Sequence, residues 1–523
     1  MTRTRAAILA GMIGLTTGCQ DFLDVNTNPN APGAEVVSAN LLLPPMLHWV
    51  ATGPQFDGRF IGRYTQMWYP PTTGTPGLWD RHGYDGPPSD NGGQVWRDVY
   101  WSLAHNLIDM MTKAEAEERW DLLGIGHVLK AYGWLVATAI HGEIIISDAF
   151  NPNTTKFSYD TQEFAYQEVL RHLDEAITLL QRSDGNVDPA YVARGDRIYN
   201  GDRAKWLKLA HGYRAIALNH FSNKAGYNPA QVIAAVDLSF SSNADDALLP
   251  YPATSNDDTN FWGRTRGNLT ALRQTLFILN LMNGTEFGGV QDPRMTRMLA
   301  PSPDGVYRGL DPNIATGGLS VAQRPNNLHG YEGAGGAGLP GRYLFDDRAK
   351  FPIMTYAQLQ FVKAEAALRM GNQAVARQAY QNGVSAHIDF VNARNADISA
   401  GSATQISAAE KAAFLASPEI VPPTVTLSHI MSQKFIAQFG WAHWEAWMDL
   451  RRYGYEGMDP VSGTRVFRGF SLPLNFHPDN GGMPAYRIRP RYNSEYVWNR
   501  AGLEPIGGLA PNYHTKPIWI TQP

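Results

Sequence analysis

Apolar residues recur at three- and four-residue spacing over residues 94–118, 122–139, 161–181, 203–220 and 354–370, which predicts five amphipathic helices. In the last of them Leu359, Val362, Ala366 and Met370 share a face that Gln360, Lys363 and Arg369 avoid. Asp160-Thr161 opens one helix with short oxygen side chains that accept from free N–H groups, and Gly371-Asn372 ends another as a left-handed cap would. Trp206, Leu209, Ala210 and Tyr213 have the spacing of a tetratricopeptide helix, in which a small residue marks the helix crossing and large ones fill the groove beside it. Ala364, Ala376, Tyr380 and Val384, flanking Gly371-Asn372, fit the same helix–turn–helix scheme, although a generic amphipathic pair has this spacing too. Alternating apolar and polar runs are scarce, so the fold class is mainly α.

Three connections, over residues 69–91, 245–268 and 301–348, are too long for turns and are polar, Gly- and Pro-rich; residues 455–523 have no sustained period. Loops beyond about 12–15 residues in a compact protein are functional or disordered more often than not. With 44 Lys+Arg against 48 Asp+Glu, the chain lacks the basic excess that nucleic acid requires. A 44% hydrophobic content with 14 Trp, 23 Tyr and 21 Phe excludes a disordered chain.

The one cysteine, Cys19, excludes an intrachain disulfide and any cysteine-cluster metal site. Arg3 and Arg5 precede an apolar run over residues 6–15, which is shorter than the ~20 residues a spanning helix needs. Its end, Leu15-Thr16-Thr17-Gly18-Cys19, resembles the lipobox of bacterial lipoproteins. Residues 1–18 are then a signal peptide and Cys19 the lipidated first residue; an ordinary secretory signal that contains a cysteine is the alternative.

Several motifs fail on context. Gly333-Ala334-Gly335-Gly336-Ala337-Gly338 satisfies a dinucleotide fingerprint, but Leu339-Pro340-Gly341 cannot start the helix that would hold a pyrophosphate. Asp24-x-Asn26-x-Asn28 imitates a calcium loop, yet Pro29 stands where a sharp glycine turn is needed. Neither a G-x-S-x-G elbow nor an H-E-x-x-H pair occurs, and no cofactor or metal is expected.

Asp21-Phe22-Leu23-Asp24-Val25-Asn26-Thr27-Asn28-Pro29 resembles the N-terminal signature of the SusD/RagB family of nutrient-binding outer-membrane lipoproteins. Gly142-Glu143-Ile144-Ile145-Ile146-Ser147-Asp148-Ala149, the stretch from Tyr356 to Gly371, and Glu445-Ala446-Trp447-Met448-Asp449-Leu450-Arg451-Arg452 resemble further family segments in the expected order. Arg489, Tyr492, Ser494, Glu495 and Asn499 resemble its C-terminal pattern, with Asn493 in place of a proline. The resemblance implies a superhelix of four tetratricopeptide-like helix pairs with long irregular loops and an irregular C-terminal segment, one binding domain over residues 19–523. It also implies a surface-exposed outer-membrane lipoprotein that binds oligosaccharide, or peptide in some relatives, and delivers it to a TonB-dependent, SusC-like transporter without chemistry. A secreted helical-fold glycan hydrolase is the competing reading, because a glycosidase carboxylate pair is defined by separation in space.

Helical spacing puts Trp444, Trp447 and Leu450 on a buried face, with Arg451, Arg452 and Glu495 as candidates for ion pairs that tie the C-terminal segment to a helix. Ligand contacts are expected instead on the long loops: Trp79, Arg81 and Tyr84 in the first, Trp262 and Arg264 with Asp257, Asp258 and Asn260 in the second, and Tyr331 in the third. Aromatic rings there can pack on apolar sugar faces, in which case Trp79, Tyr84 and Trp262 face one concavity; the alternative is that they seal their own loops onto the scaffold.

Overall fold

Helix α1, Leu43–Tyr64, starts on Pro44 and Pro45, whose missing N–H groups cost nothing in a first turn, and continues through Pro54. Pro54 cannot donate to the carbonyl of Val50; the Tyr132 hydroxyl donates to it instead, at 2.8 Å. Gly58 and Gly62 on the same helix admit His443 and Trp68, each of which lies 2.5 Å from where a Cβ would stand. This Gly/Pro content hid α1 from the apolar periodicity.

The structure, a computed structural model, describes residues 37–72, 75–86, 88–314, 316–331, 341–398 and 405–523. After α1 come α2 (Ala104–Ala116), α3 (Trp120–His141), α4 (Gln162–Gln181), α5 (Arg203–His220) and α6 (Pro229–Asp237). Then follow α7 (Leu276–Met282), α8 (Tyr356–Arg369), α9 (Gln373–Asp397), α10 (Ala408–Ala416), α11 (Leu427–Gln438) and α12 (His443–Arg452). Successive helices pair, α3 with α4, α5 with α6, α8 with α9 and α11 with α12, and the pairs pack side by side through α4–α5, α6–α8 and α8–α11. Among the described residues, strands are confined to two short antiparallel ribbons, β1 (Trp68–Tyr69) with β3 (Arg273–Gln274) and β2 (Ala247–Leu249) with β4 (Phe351–Met354). The mainly α class and the helix pairing agree with the sequence.

Local signals hold as well. The Thr161 side chain accepts from Phe164 N–H, and Gly371 adopts φ +76° before Asn372 caps α9 through Val375 N–H. Trp206, Leu209, Ala210 and Tyr213 are all buried. The stretch 94–118 is not one helix: a turn over Gln94–Arg97 leads into a π-helical turn, Asp98–Ser102, and only then into α2.

Every residue of α12 is buried, not only the face that carries Trp444, Trp447 and Leu450. Its charges are matched inside the protein. Lys434 of α11 meets Asp449 at 2.7 Å and Glu445 at 3.3 Å, while Arg452 meets Asp449 at 2.6 Å and Glu365 of α8 at 2.7 Å. His220, at the end of α5, lies 2.8 Å from Glu445 and 2.8 Å from the Tyr166 hydroxyl. Burial pushes the Glu445 carboxyl up, but His220 and Lys434 outweigh it and hold it at about 2. Arg452 is thus the ion-pairing residue expected from the sequence, although it joins α12 to α8 and not to the C-terminal segment. Arg451 makes that second link without an ion pair, by donating to the carbonyls of Tyr486 and Ala139.

Candidate functional site

The π-helical turn sets up the site. Asp57 of α1 accepts from the N–H groups of Gln94 (3.1 Å) and Val95 (2.8 Å) and so caps the short turn that leads into it. Gln94 then donates to Asp98 at 2.8 Å, and Leu103 N–H reaches back five residues to the Asp98 carbonyl. Burial pushes both carboxyls up, Asp57 to about 7 and Asp98 to about 8. One extra residue in a helical turn re-aims the side chains after it by roughly 100°, as the 3.6-residue period requires. Val99 and Leu103 remain in the core while Trp101 stands 65% exposed.

Trp101 lies at the junction of two cavities. One of about 820 Å³ runs between the π turn, the loop after α3 and a C-terminal segment; the other, about 360 Å³, is bounded by Trp49, Ser102 and Asn106. Arg97, Trp101 and His105 line both, so the two form one groove. Among the described residues, the Arg97 guanidinium has no hydrogen-bond or ion-pair partner, while His105 sits edge-on to Trp101 with ring centroids 5.7 Å apart.

The second wall is the loop that follows α3. Asp160 ties it shut, accepting from Ile146 N–H and Ser147 N–H at 2.8 Å. The Tyr100 hydroxyl pins the loop to the π turn by donating to the Ile145 carbonyl (2.7 Å) and accepting from Ile145 N–H (2.9 Å). Phe150, which lines the groove, holds φ +63°, a left-handed conformation unusual for a bulky residue and one that recurs at functional sites.

A second π-helical turn, Tyr492–Tyr496, contributes Ser494 and Glu495 to the third wall. Asp90 anchors this turn through Arg491 at 2.7 Å and the side-chain amide of Asn493 at 2.7 Å. Glu495 accepts from the Tyr159 hydroxyl (2.7 Å) and Asn499 (2.8 Å), and Asn499 also joins the backbone of Phe157. Glu495 therefore latches the C-terminal segment to the loop through neutral donors, which corrects the expected ion pair. It is also the one carboxylate that lines the groove among the described residues.

None of the six loop residues expected to bind ligand lines this groove. Trp79 is 2% exposed and packs on Phe60, Tyr64 and Tyr84 at centroid distances of 5.0, 5.1 and 4.8 Å. Trp262 is fully buried, edge-on to Trp68 at 5.1 Å, and donates to the Gln55 carbonyl at 3.2 Å. Neither ring has a face to offer a sugar; both seal their loops onto α1. Tyr84 donates to the Asn91 carbonyl and borders a small cavity of about 20 Å³ beside Arg489. Arg81 donates to the carbonyls of Asn475 and Phe476 at the edge of a separate cavity of about 550 Å³. Arg264 lies 3.8 Å from Asp346, and Tyr331 stacks on His329. Among the described residues, Tyr84 and Arg81 border separate cavities, and Trp79, Trp262, Arg264 and Tyr331 line neither. Asn260 is a buried bracket that accepts from Gln55 and donates to the Leu344 carbonyl, while Asp258 closes a capping box with Ser255. Residues 1–36, with Cys19 and the N-terminal signature, and the Gly333–Gly338 motif lie outside the described residues.

Sequence reasoning passed over Trp101. The available signal was its position: within 94–118 it falls off the face shared by Leu103, Leu107 and Met110, so a core role did not account for it.

The sequence profile of a SusD-like family, described as starch-binding and associating with the outer membrane, matches residues 31–466. Among solved structures, the fold is similar to a SusD homolog from Bacteroides fragilis (TM-score 0.70, 19% identity, covering 93% of this chain and 99% of that one). It is also similar to a SusD/RagB family protein from Bacteroides thetaiotaomicron (0.67, 19%, 93% and 99%). A chitin-binding SusD homolog from Flavobacterium johnsoniae gives 0.64 at 20% identity, covering 92% of this chain and 96% of that one. Comparison with curated protein sequences gave no match.

Proposed function

Because the chain belongs to the SusD-like family of starch-binding, outer-membrane-associated proteins, we propose that it captures an oligosaccharide in the groove across Trp101 and passes it on unchanged. The observation that carries the site is an indole 65% exposed at the junction of two cavities, held there by a π turn that Asp57, Asp98 and Tyr100 fix in place. An exposed aromatic face packs against the apolar face of a pyranose, and Arg97, His105, Asn151 and Ser494 stand around it to bond hydroxyls. A hydrolase would need two carboxylates flanking the scissile bond, and Glu495, committed to Tyr159 and Asn499, has no acidic partner across the groove among the described residues.

Trp101→Ala is expected to weaken glycan binding by about 1–3 kcal/mol, within the range of interface anchors, and to leave the thermal midpoint unchanged. Affinity gel electrophoresis with starch, soluble chitin and peptides as the embedded ligand measures it. Equal retardation of variant and wild type would place the ligand elsewhere.

In this reading residues 19–523 form one binding domain anchored through a lipidated Cys19 and facing the cell exterior. A TonB-dependent, SusC-like transporter receives the cargo. The basic n-region, the ten-residue apolar run and the small residues before Cys19 favour this anchor. Cys19→Ser is expected to move the protein from the membrane to the soluble fraction; retention in the membrane would sink the assignment.

A further inference from the structure

Helix α3 contains three interior glycines, and they are not alike. A Cβ on Gly124 would stand 2.7 Å from Leu180 Cγ, and one on Gly126 would stand 2.6 Å from Met111 Cγ, so neighbouring side chains occupy both places. A Cβ on Gly133 would meet only Val99 Cγ2, at an ordinary 3.6 Å. Packing therefore does not demand glycine at 133, where alanine would favour the helix by about 1 kcal/mol. What the missing side chain leaves is space: a crevice of about 30 Å³ between α2 and α3, lined by Leu107, Met111, Trp134 and other apolar side chains.

Two features connect this crevice to the proposed glycan groove. Ile108 and Phe150 line both, so its mouth opens beside the sugar-stacking face. Lys130, half-buried and without a hydrogen-bond or ion-pair partner among the described residues, lines it, and so does Trp134, whose buried indole N–H has no hydrogen-bond partner there. An apolar slot the size of a methyl group with N–H donors in its wall has the chemistry of an acyl binding site. The methyl enters the slot and the carbonyl oxygen accepts from Lys130.

We propose that the ligand is an acylated saccharide, with an acetyl-sized substituent seated in the crevice over Gly133 and its carbonyl on Lys130. This rests on the glycan reading of the groove, and it narrows the substrate class. O-acetyl esters and N-acetyl amides share the recognised chemistry, so both are tested: acetylated xylo-oligosaccharides against the same material after alkaline deacetylation, and chitohexaose against cellohexaose.

Calorimetric titration of the full chain should show one acetylated ligand of the two pairs binding at least tenfold more tightly than its unacetylated counterpart. Which pair shows it identifies ester or amide. Gly133→Ala, whose added methyl fills the slot at no steric cost elsewhere, should abolish that preference without lowering the thermal midpoint. Lys130→Met should reduce it while leaving binding of the unacetylated sugars intact. Equal affinity within both pairs, or a preference that survives Gly133→Ala, would overturn the acyl site and leave the groove reading standing. Failure of every oligosaccharide to bind would overturn both.

Discussion

Lys434→Met is expected to lower the unfolding free energy by about 3–5 kcal/mol, the range found when one partner of a buried ion pair is removed. The variant leaves Glu445, Asp449 and Glu365, all within a core that water does not reach, with Arg452, His220 and, beside Glu365, Arg369 to balance them. Burial already pushes the Asp449 carboxyl up despite Lys434 and Arg452 beside it, so its charge is the first to lose support. Guanidinium unfolding followed by tryptophan fluorescence reads the change. Adding Asp449→Leu to Lys434→Met should restore a good part of the loss, because an apolar pair of similar volume needs no compensation. A single variant that unfolds at the wild-type midpoint would contradict the account of α12 as a charge-matched core helix.

Trp262→Ala should be comparably damaging, at about 3–5 kcal/mol for a large aromatic deleted from a packed interior. The indole fills the space between Trp68, Phe345 and Phe351, and its N–H satisfies a carbonyl of α1. Whatever fraction remains folded should bind glycan as the wild type does. Trp101→Ala has the opposite profile, with affinity lost and stability kept. Measuring both quantities on both variants separates a tryptophan that holds a loop from one that holds a ligand; matching profiles would refute the distinction.

That contrast marks where the sequence was legible. Periodicity found α3, α4, α5 and α8 because their apolar faces repeat at helical spacing, and Thr161, Gly371 and the Trp206–Tyr213 set behaved as their local chemistry dictates. Helix α1 was not legible, since Pro54 and its glycines are tolerated only through tertiary partners such as Tyr132 and His443. The burial of Trp79 and Trp262, expected on the ligand face, was illegible for a related reason. Trp79 and Trp262 sit in segments with no period, and nothing local distinguishes a ring that faces solvent from one that plugs its loop. Trp101 sits where a continuous helix was expected, and the π turn that exposes it depends on a carboxylate from α1, forty-one residues upstream of Asp98. The family signatures, by contrast, were readable without any fold.

Helix α12 also fixes the order of events in making this protein. Its counter-charges lie on α5, α8 and α11, and the turn at Trp519–Thr521 packs against it and bonds back to Gln162 of α4. An N-terminal fragment that has left the ribosome without residues 443–521 lacks the piece around which its interior closes. Pairs such as α3–α4 can form early from local contacts, but the interior that α12 closes needs residues 443–521. Closure of that interior is therefore expected to follow synthesis of residues 443–521, and a chain stopped before them is expected to stay open.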